Sequence, residues 1–151
     1  MDKLEFWYHH SGISVFDMDA SIAWWQKMLD FQLERRYILE HIPAEIACLS
    51  NGPLTIELLK FPRPVLADPT RHTPDDDLKT CGNKHTAFSV HDVKKFTDQL
   101  RRRGVDVVWV KELANGRAAG FIRDNEGNLI EFVQFPKPAH QIACIYLAGS
   151  D

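Results

Sequence analysis

The chain has 151 residues, 44% of them hydrophobic and 26% charged, and a formal net charge of −3. That length fits one domain of ordinary globular composition, and the mildly negative balance excludes the basic footprint of a nucleic-acid binder. No apolar run reaches spanning length and Met1–Glu5 lacks the apolar centre of a secretory signal, so we expect a cytoplasmic protein with no membrane partner. Cys48, Cys81 and Cys144 are odd in number and lack metal-type spacing, which suits reduced thiols.

In chain order, residues 6–15 alternate as a strand. Asp17 or Asp19 can then cap a helix by accepting from the open N–H groups of its first turn. Ile22, Trp25, Met28 and Leu29 make the apolar stripe of a short helix packed on a sheet. Strand-like runs follow at 32–39, 44–49 and 54–61. The last two are joined through Ser50-Asn51-Gly52-Pro53, where Asn-Gly signals a tight hairpin. Pro62, Pro64, Pro69 and Pro74 cannot donate to a ladder and Asp75-Asp76-Asp77 repel one another, so 62–80 reads as a connector.

The order then repeats. A strand at 84–90 leads to the capping Asp92 and a helix with Val93, Phe96 and Leu100 on one face. Arg101-Arg102-Arg103 place cations at its C-terminus and Gly104 supplies the stop. Strands at 105–110, 117–123 and 129–135 complete the second half, separated by turns at Asn115-Gly116 and at 124–128. The expected class is α+β: two βαβββ modules at 6–61 and 81–136, a linker at 62–80 and a tail at 137–151 in one domain. The tail's apolar run at 142–147 is either an added strand or a subunit contact. A half alone, at roughly 55 to 60 residues, would bury too little surface to be secure, which favours a shared core.

The repetition extends to the chemistry. His10-Ser11-Gly12-Ile13-Ser14-Val15-Phe16-Asp17-Met18 returns as His85-Thr86-Ala87-Phe88-Ser89-Val90-His91-Asp92-Val93, and Ile56-Glu57-Leu58-Leu59 is matched by Ile130-Glu131-Phe132-Val133. A carboxylate amid an apolar strand is costly to bury without a partner, and here the cost recurs at equivalent places. A lone strand His or Glu is most often structural; the doubling is what points to a site. Two imidazoles and two carboxylates make an N2O2 set suited to Zn, Ni, Co, Mn or Fe(II). The repeat register selects His10 over His9, which alternation turns to the other face.

These stretches, with Phe121-Ile122-Arg123-Asp124 and Gly127-Asn128-Leu129-Ile130-Glu131, resemble the vicinal oxygen chelate superfamily, the glyoxalase/bleomycin-resistance/dioxygenase group. The resemblance covers nearly everything between residues 8 and 135. It implies paired modules forming a cupped mixed sheet around a divalent metal ion, His10, Glu57, His85 and Glu131 as its ligands, and a homodimer. Within the group the chain is most similar to methylmalonyl-CoA epimerases, whose catalytic glutamate Glu45 resembles in position. The stretch after Glu57 departs from the Leu-Thr-x-Asn pattern of glyoxalase I.

The implied activity is proton transfer next to a carbonyl of a small acyl or carbonyl substrate, an isomerase, epimerase or lyase reaction through a metal-stabilised enolate. Glu131, Glu57 or Glu45 would carry the proton. A two-residue hairpin turn would leave Glu45 off the Glu57 face, whereas a three-residue loop would bring it there. Arg117 and Arg123 share a side by alternation and could fork onto a substrate anion, or simply be exposed charges. Phe121 could stack on substrate or pack in the core. The alternatives are an Fe(II) dioxygenase and a non-catalytic binding or resistance protein. Oxygen uptake marks the first and an absent metal the second.

Overall fold

A computed structural model describes residues 4–135; the tail expected at 137–151, with Cys144, lies outside them. The described residues form β1 (Ser11–Ser14), α1 (Met18–Leu29), β2 (Gln32–Ile38), β3 (Glu45–Asn51), β4 (Leu54–Lys60), α2 (Pro74–Asp77), β5 (Thr86–Ser89), α3 (Val93–Arg102), β6 (Asp106–Glu112), β7 (Ala118–Arg123) and β8 (Leu129–Gln134). The fold is α+β, with two four-stranded mixed sheets ordered β1-β4-β3-β2 and β5-β8-β7-β6. In each, the first strand pairs in parallel with the fourth and the others pair antiparallel. That is the βαβββ order, twice. No helix among the described residues is long and apolar enough to cross a membrane.

The chain divides into two compact units. The first holds residues 4–72 with the turn 124–128. Asp17 caps α1, its side chain accepting from Ala20 N at 3.1 Å, and Asp30 ends it in the left-handed region at φ 57°. Met18, Ile22, Trp25 and Leu29 of α1 are buried, as are Ala47, Leu49, Ile56 and Leu58 on one face of the sheet. Each such large side chain contributes about 1.5–3 kcal/mol. The turn 124–128 anchors the helix start: Glu126 accepts from the backbone N–H groups of Phe16 (2.6 Å) and Asp17 (2.7 Å) and from the Ser21 hydroxyl (3.3 Å).

Two expectations change in this unit. The strand foreseen at 6–15 shrinks to Ser11–Ser14, because Ser11 opposes Ile56 and β4 begins only at Leu54. Upstream residues run past the end of their partner. The hairpin register also differs in detail: Asn51 pairs with Leu54, so the turn residues are Gly52 and Pro53. Gly52 takes the positive φ, +58°, that a primed hairpin turn needs first, and the proline ring suits the second place.

The second unit holds 73–123 and 129–135. The expected connector is structured here. Asp77 of α2 is 2% exposed with Lys84 Nζ 3.7 Å away, and Asp76 pairs with Lys79 at 2.8 Å, so neighbouring lysines relieve the acidic run. Asp92 caps α3 by accepting from Lys95 N at 2.9 Å. Val93, Thr97 and Leu100 are its buried residues, while Phe96 packs on Phe132 with ring centroids 4.6 Å apart. Thr97 tolerates burial because its hydroxyl donates to Val93 O at 2.8 Å. Gly120 lets α3 press onto β7, since a Cβ there would stand 3.1 Å from both Thr97 Cγ2 and Val93 Cγ1.

Candidate functional site

Sheet register fixes which side chains share a face. In the first unit Gly12 opposes Glu57 and Cys48 opposes Glu57 from the other side, with Arg35 opposite Cys48. His10, two residues before Gly12, falls on the same face by alternation. Its Nε2 is 3.4 Å from Glu57 Oε2. His9 stays beside it, the two Nδ1 atoms 2.6 Å apart. In the second unit Ala87 and Phe121 oppose Glu131, and Trp109 opposes Phe121. His85 Nε2 is 3.1 Å from Glu131 Oε2. Each module thus brings its own His and Glu together on the face away from its helix.

The neighbours of the two pairs differ. Cys48 Sγ donates to Glu57 Oε1 at 3.7 Å and accepts from Arg35 Nε at 3.3 Å, and the guanidinium lies 5.5 Å from the Tyr37 ring centroid. The Cys48 hydrogen bond raises the Arg35 pKa. Desolvation raises that of the Tyr37 phenol, and the charge of Glu57 adds to it. In the second unit the corresponding row is aromatic. Phe121 meets the His85 ring edge-on at 4.7 Å and Trp109 at 4.8 Å, and Lys111 Nζ caps Trp109 at 4.3 Å.

Other residues singled out from the sequence go elsewhere. Glu45 opposes Lys60, on the helix-covered face, where Arg36 donates to it and to Asp19 (2.5 Å). The two-residue turn decides this. Phe121 is 5% exposed and packs edge-on against the His85 ring. Arg123 pairs with Asp106 at 2.8 Å, and Arg117 lies over the Phe135 ring at 5.3 Å. Arg35 went unnoticed. Only the β2–β3 register, which skips a residue between Leu33 and Arg35, puts it on the Glu57 face.

Residues 7–132 match the family model described as the Glyoxalase/Bleomycin resistance protein/Dioxygenase superfamily. The chain belongs to this superfamily. Solved structures agree with the fold. A glyoxalase family protein from Enterococcus faecalis superposes with a TM-score of 0.70 at 17% identity, over 84% of this chain and 96% of its own. One from Bacillus cereus gives 0.67 at 24% identity, over 89% and 97%. The trypanothione-dependent glyoxalase I of Leishmania major gives 0.61 at 23%, over 83% and 84%. No curated protein matches the sequence.

Among the described residues, no three His, Cys, Asp or Glu side chains gather into a metal-holding group; the donors come in twos. Their chemistry fits a divalent ion nonetheless. Metal–ligand bonds of about 2.0–2.2 Å put neighbouring octahedral or tetrahedral donors roughly 2.8–3.6 Å apart. The two His–Glu separations, 3.4 and 3.1 Å, fall within that range, which is also that of a direct His–Glu contact.

Proposed function

We propose that the chain is a divalent-metal enzyme that moves a proton beside the carbonyl of a small acyl or carbonyl substrate, an epimerase, isomerase or glyoxalase-type lyase. The carrying observation is the His–Glu pair, repeated at the same register in both modules with donor-like spacing. His10, Glu57, His85 and Glu131 would hold the ion, four donors in two pairs. A bound divalent ion supplies Lewis-acid polarisation of the carbonyl oxygen.

The residues themselves divide the remaining work. Glu57 Oε1 takes a hydrogen bond from the Cys48 thiol, whereas the residue opposite Glu131 is Phe121, which has none to give. Glu131 Oε1 is therefore the less committed carboxylate oxygen, and we assign Glu131 the proton transfer. Phe121, backed by Trp109, holds His85 in orientation. Glu45, on the other face, has no part. The same reading includes a homodimer, which sedimentation of the purified chain tests directly.

The test is metal content by elemental analysis, together with solvent deuterium exchange into acyl thioesters and 2-oxo acids. Wild type should carry a divalent metal and exchange the hydrogen next to the carbonyl. His10→Ala and His85→Ala should each weaken metal affinity by about 100-fold or more, beyond the loss seen for an outer-shell partner. Unchanged metal content in all four ligand variants would overturn the assignment. Oxygen uptake without exchange would replace it with a dioxygenase.

A further inference from the structure

The first module's row of side chains contains a cation that pairs with no carboxylate among the described residues. Arg36 is held by Glu45 and Asp19, Arg123 by Asp106, and Arg101 by Asp98. Among the described residues Arg35 touches a thiol and an aromatic face: its Nε donates to Cys48 Sγ at 3.3 Å and its guanidinium lies 5.5 Å from the Tyr37 ring centroid. Those contacts fix the plane of the group through Nε and leave both Nη atoms uncommitted. The legs from Nε to Sγ, 3.3 Å, and from Sγ to Glu57 Oε1, 3.7 Å, place Nε no more than 7.0 Å from that oxygen. Arg35 is also solvent-exposed, so a ligand can reach it.

We propose that Arg35 is the specificity residue of the site, binding an anionic oxyacid group on the substrate, a carboxylate or phosphate. A guanidinium oriented along one edge presents its two Nη donors as a fork, the geometry that pairs two-pronged with a planar carboxylate or two phosphate oxygens. The substrate class is then a carbonyl compound with a second, anionic group a few bonds from the carbonyl, near enough to span from Glu57 to Arg35. Tyr37 supports the guanidinium by cation–π contact, and Cys48 links the reading residue to the ligand carboxylate. This inference rests on the metal-enzyme reading for its substrate pose, but not for its anion.

Three chelating probes separate the two ideas. Acetohydroxamate has no anionic tail, succinohydroxamate ends in a carboxylate, and phosphonoacetohydroxamate ends in a phosphonate. Calorimetric titration of the zinc-loaded protein should show a preference of about tenfold or more for a tailed probe over acetohydroxamate, the lower end for charge-assisted hydrogen bonds. Whichever tail gains more identifies the anion. Arg35→Leu should erase that preference, and Arg35→Lys should keep part of it through the point charge.

A tail preference that survives Arg35→Leu overturns the inference while leaving the metal reading intact. Failure of acetohydroxamate itself to bind counts against the metal reading. In that case the Arg35 Nε–H resonance of the metal-free protein, titrated with succinate and with inorganic phosphate, decides. Saturable displacement by either anion supports the anion site, and no displacement overturns it.

Discussion

Replacing Gly127 by Ala tests how the turn 124–128 is held. Gly127 sits at φ +87°, and a Cβ there would stand 2.2 Å from Nδ1 and 2.6 Å from Cε1 of His72. The positive φ alone costs an L-residue about 1–2 kcal/mol. The His72 ring must also move, which breaks the bond that Nδ1–H donates to Gly127 O at 2.8 Å, about 1 kcal/mol more. The expected loss is about 2–3 kcal/mol, or roughly 4–12 °C in Tm for a chain of this length. His72→Ala should cost about 1 kcal/mol by itself, through the same hydrogen bond. In the double variant the ring is gone, so only the backbone strain and the bond already lost remain. The two effects should fall short of additive by about 1 kcal/mol, within the range for residues in contact. Urea unfolding of the four proteins gives the cycle. Strict additivity, or a Gly127→Ala loss under about 0.5 kcal/mol, would refute the close approach of His72.

Glu126→Ala removes the side-chain acceptors of two backbone N–H groups at the start of α1 and should lower stability by about 2 kcal/mol, with Glu126→Gln losing less; thermal unfolding reads both. Burial raises the Asp124 pKa, against hydrogen bonds from Asn128 and Glu126 that lower it. A carboxyl whose folded pKa exceeds its unfolded value, about 3.9, contributes its stability below that pH. The contribution fades as pH rises through the folded pKa. Asp124→Asn should flatten that part of the stability profile, and urea midpoints taken from about pH 3 to 7 would show no change of slope if the reasoning fails. Glu45→Gln should leave deuterium exchange untouched and shift stability by no more than about 1 kcal/mol, as for an exposed ion pair. Loss of exchange in that variant would return Glu45 to the candidate bases.

The features legible in the sequence were those set by local chemistry or by repetition. Asp17 and Asp92 cap their helices as read, since an N-cap needs only a short acceptor at the right place. The repeat alone picked out His10 with Glu57 and His85 with Glu131, and both pairs meet in the fold. What stayed hidden depended on register. Whether Glu45 lies beside Glu57 turned on one residue in the hairpin, and Gly52-Pro53 decided against it. Arg35 needed a skipped residue in β2 to reach the Glu57 face, which no periodicity of that mixed strand announces. Lys84 reaching back to Asp77, and Glu126 reaching the start of α1, are pairings between distant positions that composition cannot foretell.

The two modules diverge where a duplicated site can do so without losing its donors. His10 with Glu57 and His85 with Glu131 are locked by parallel pairing of the first and fourth strands, Gly12 opposite Glu57 and Ala87 opposite Glu131. One strand further, the constraint relaxes to filling space. There the first module carries Cys48 and Arg35, the second Phe121 and Trp109. A thiol that both donates and accepts ties Arg35 to Glu57, while Phe121, backed by Trp109, packs against the His85 imidazole and brings no charge. The Glu57 row therefore offers a solvent-exposed guanidinium at Arg35, where the Glu131 row offers the aromatic faces of Phe121 and Trp109.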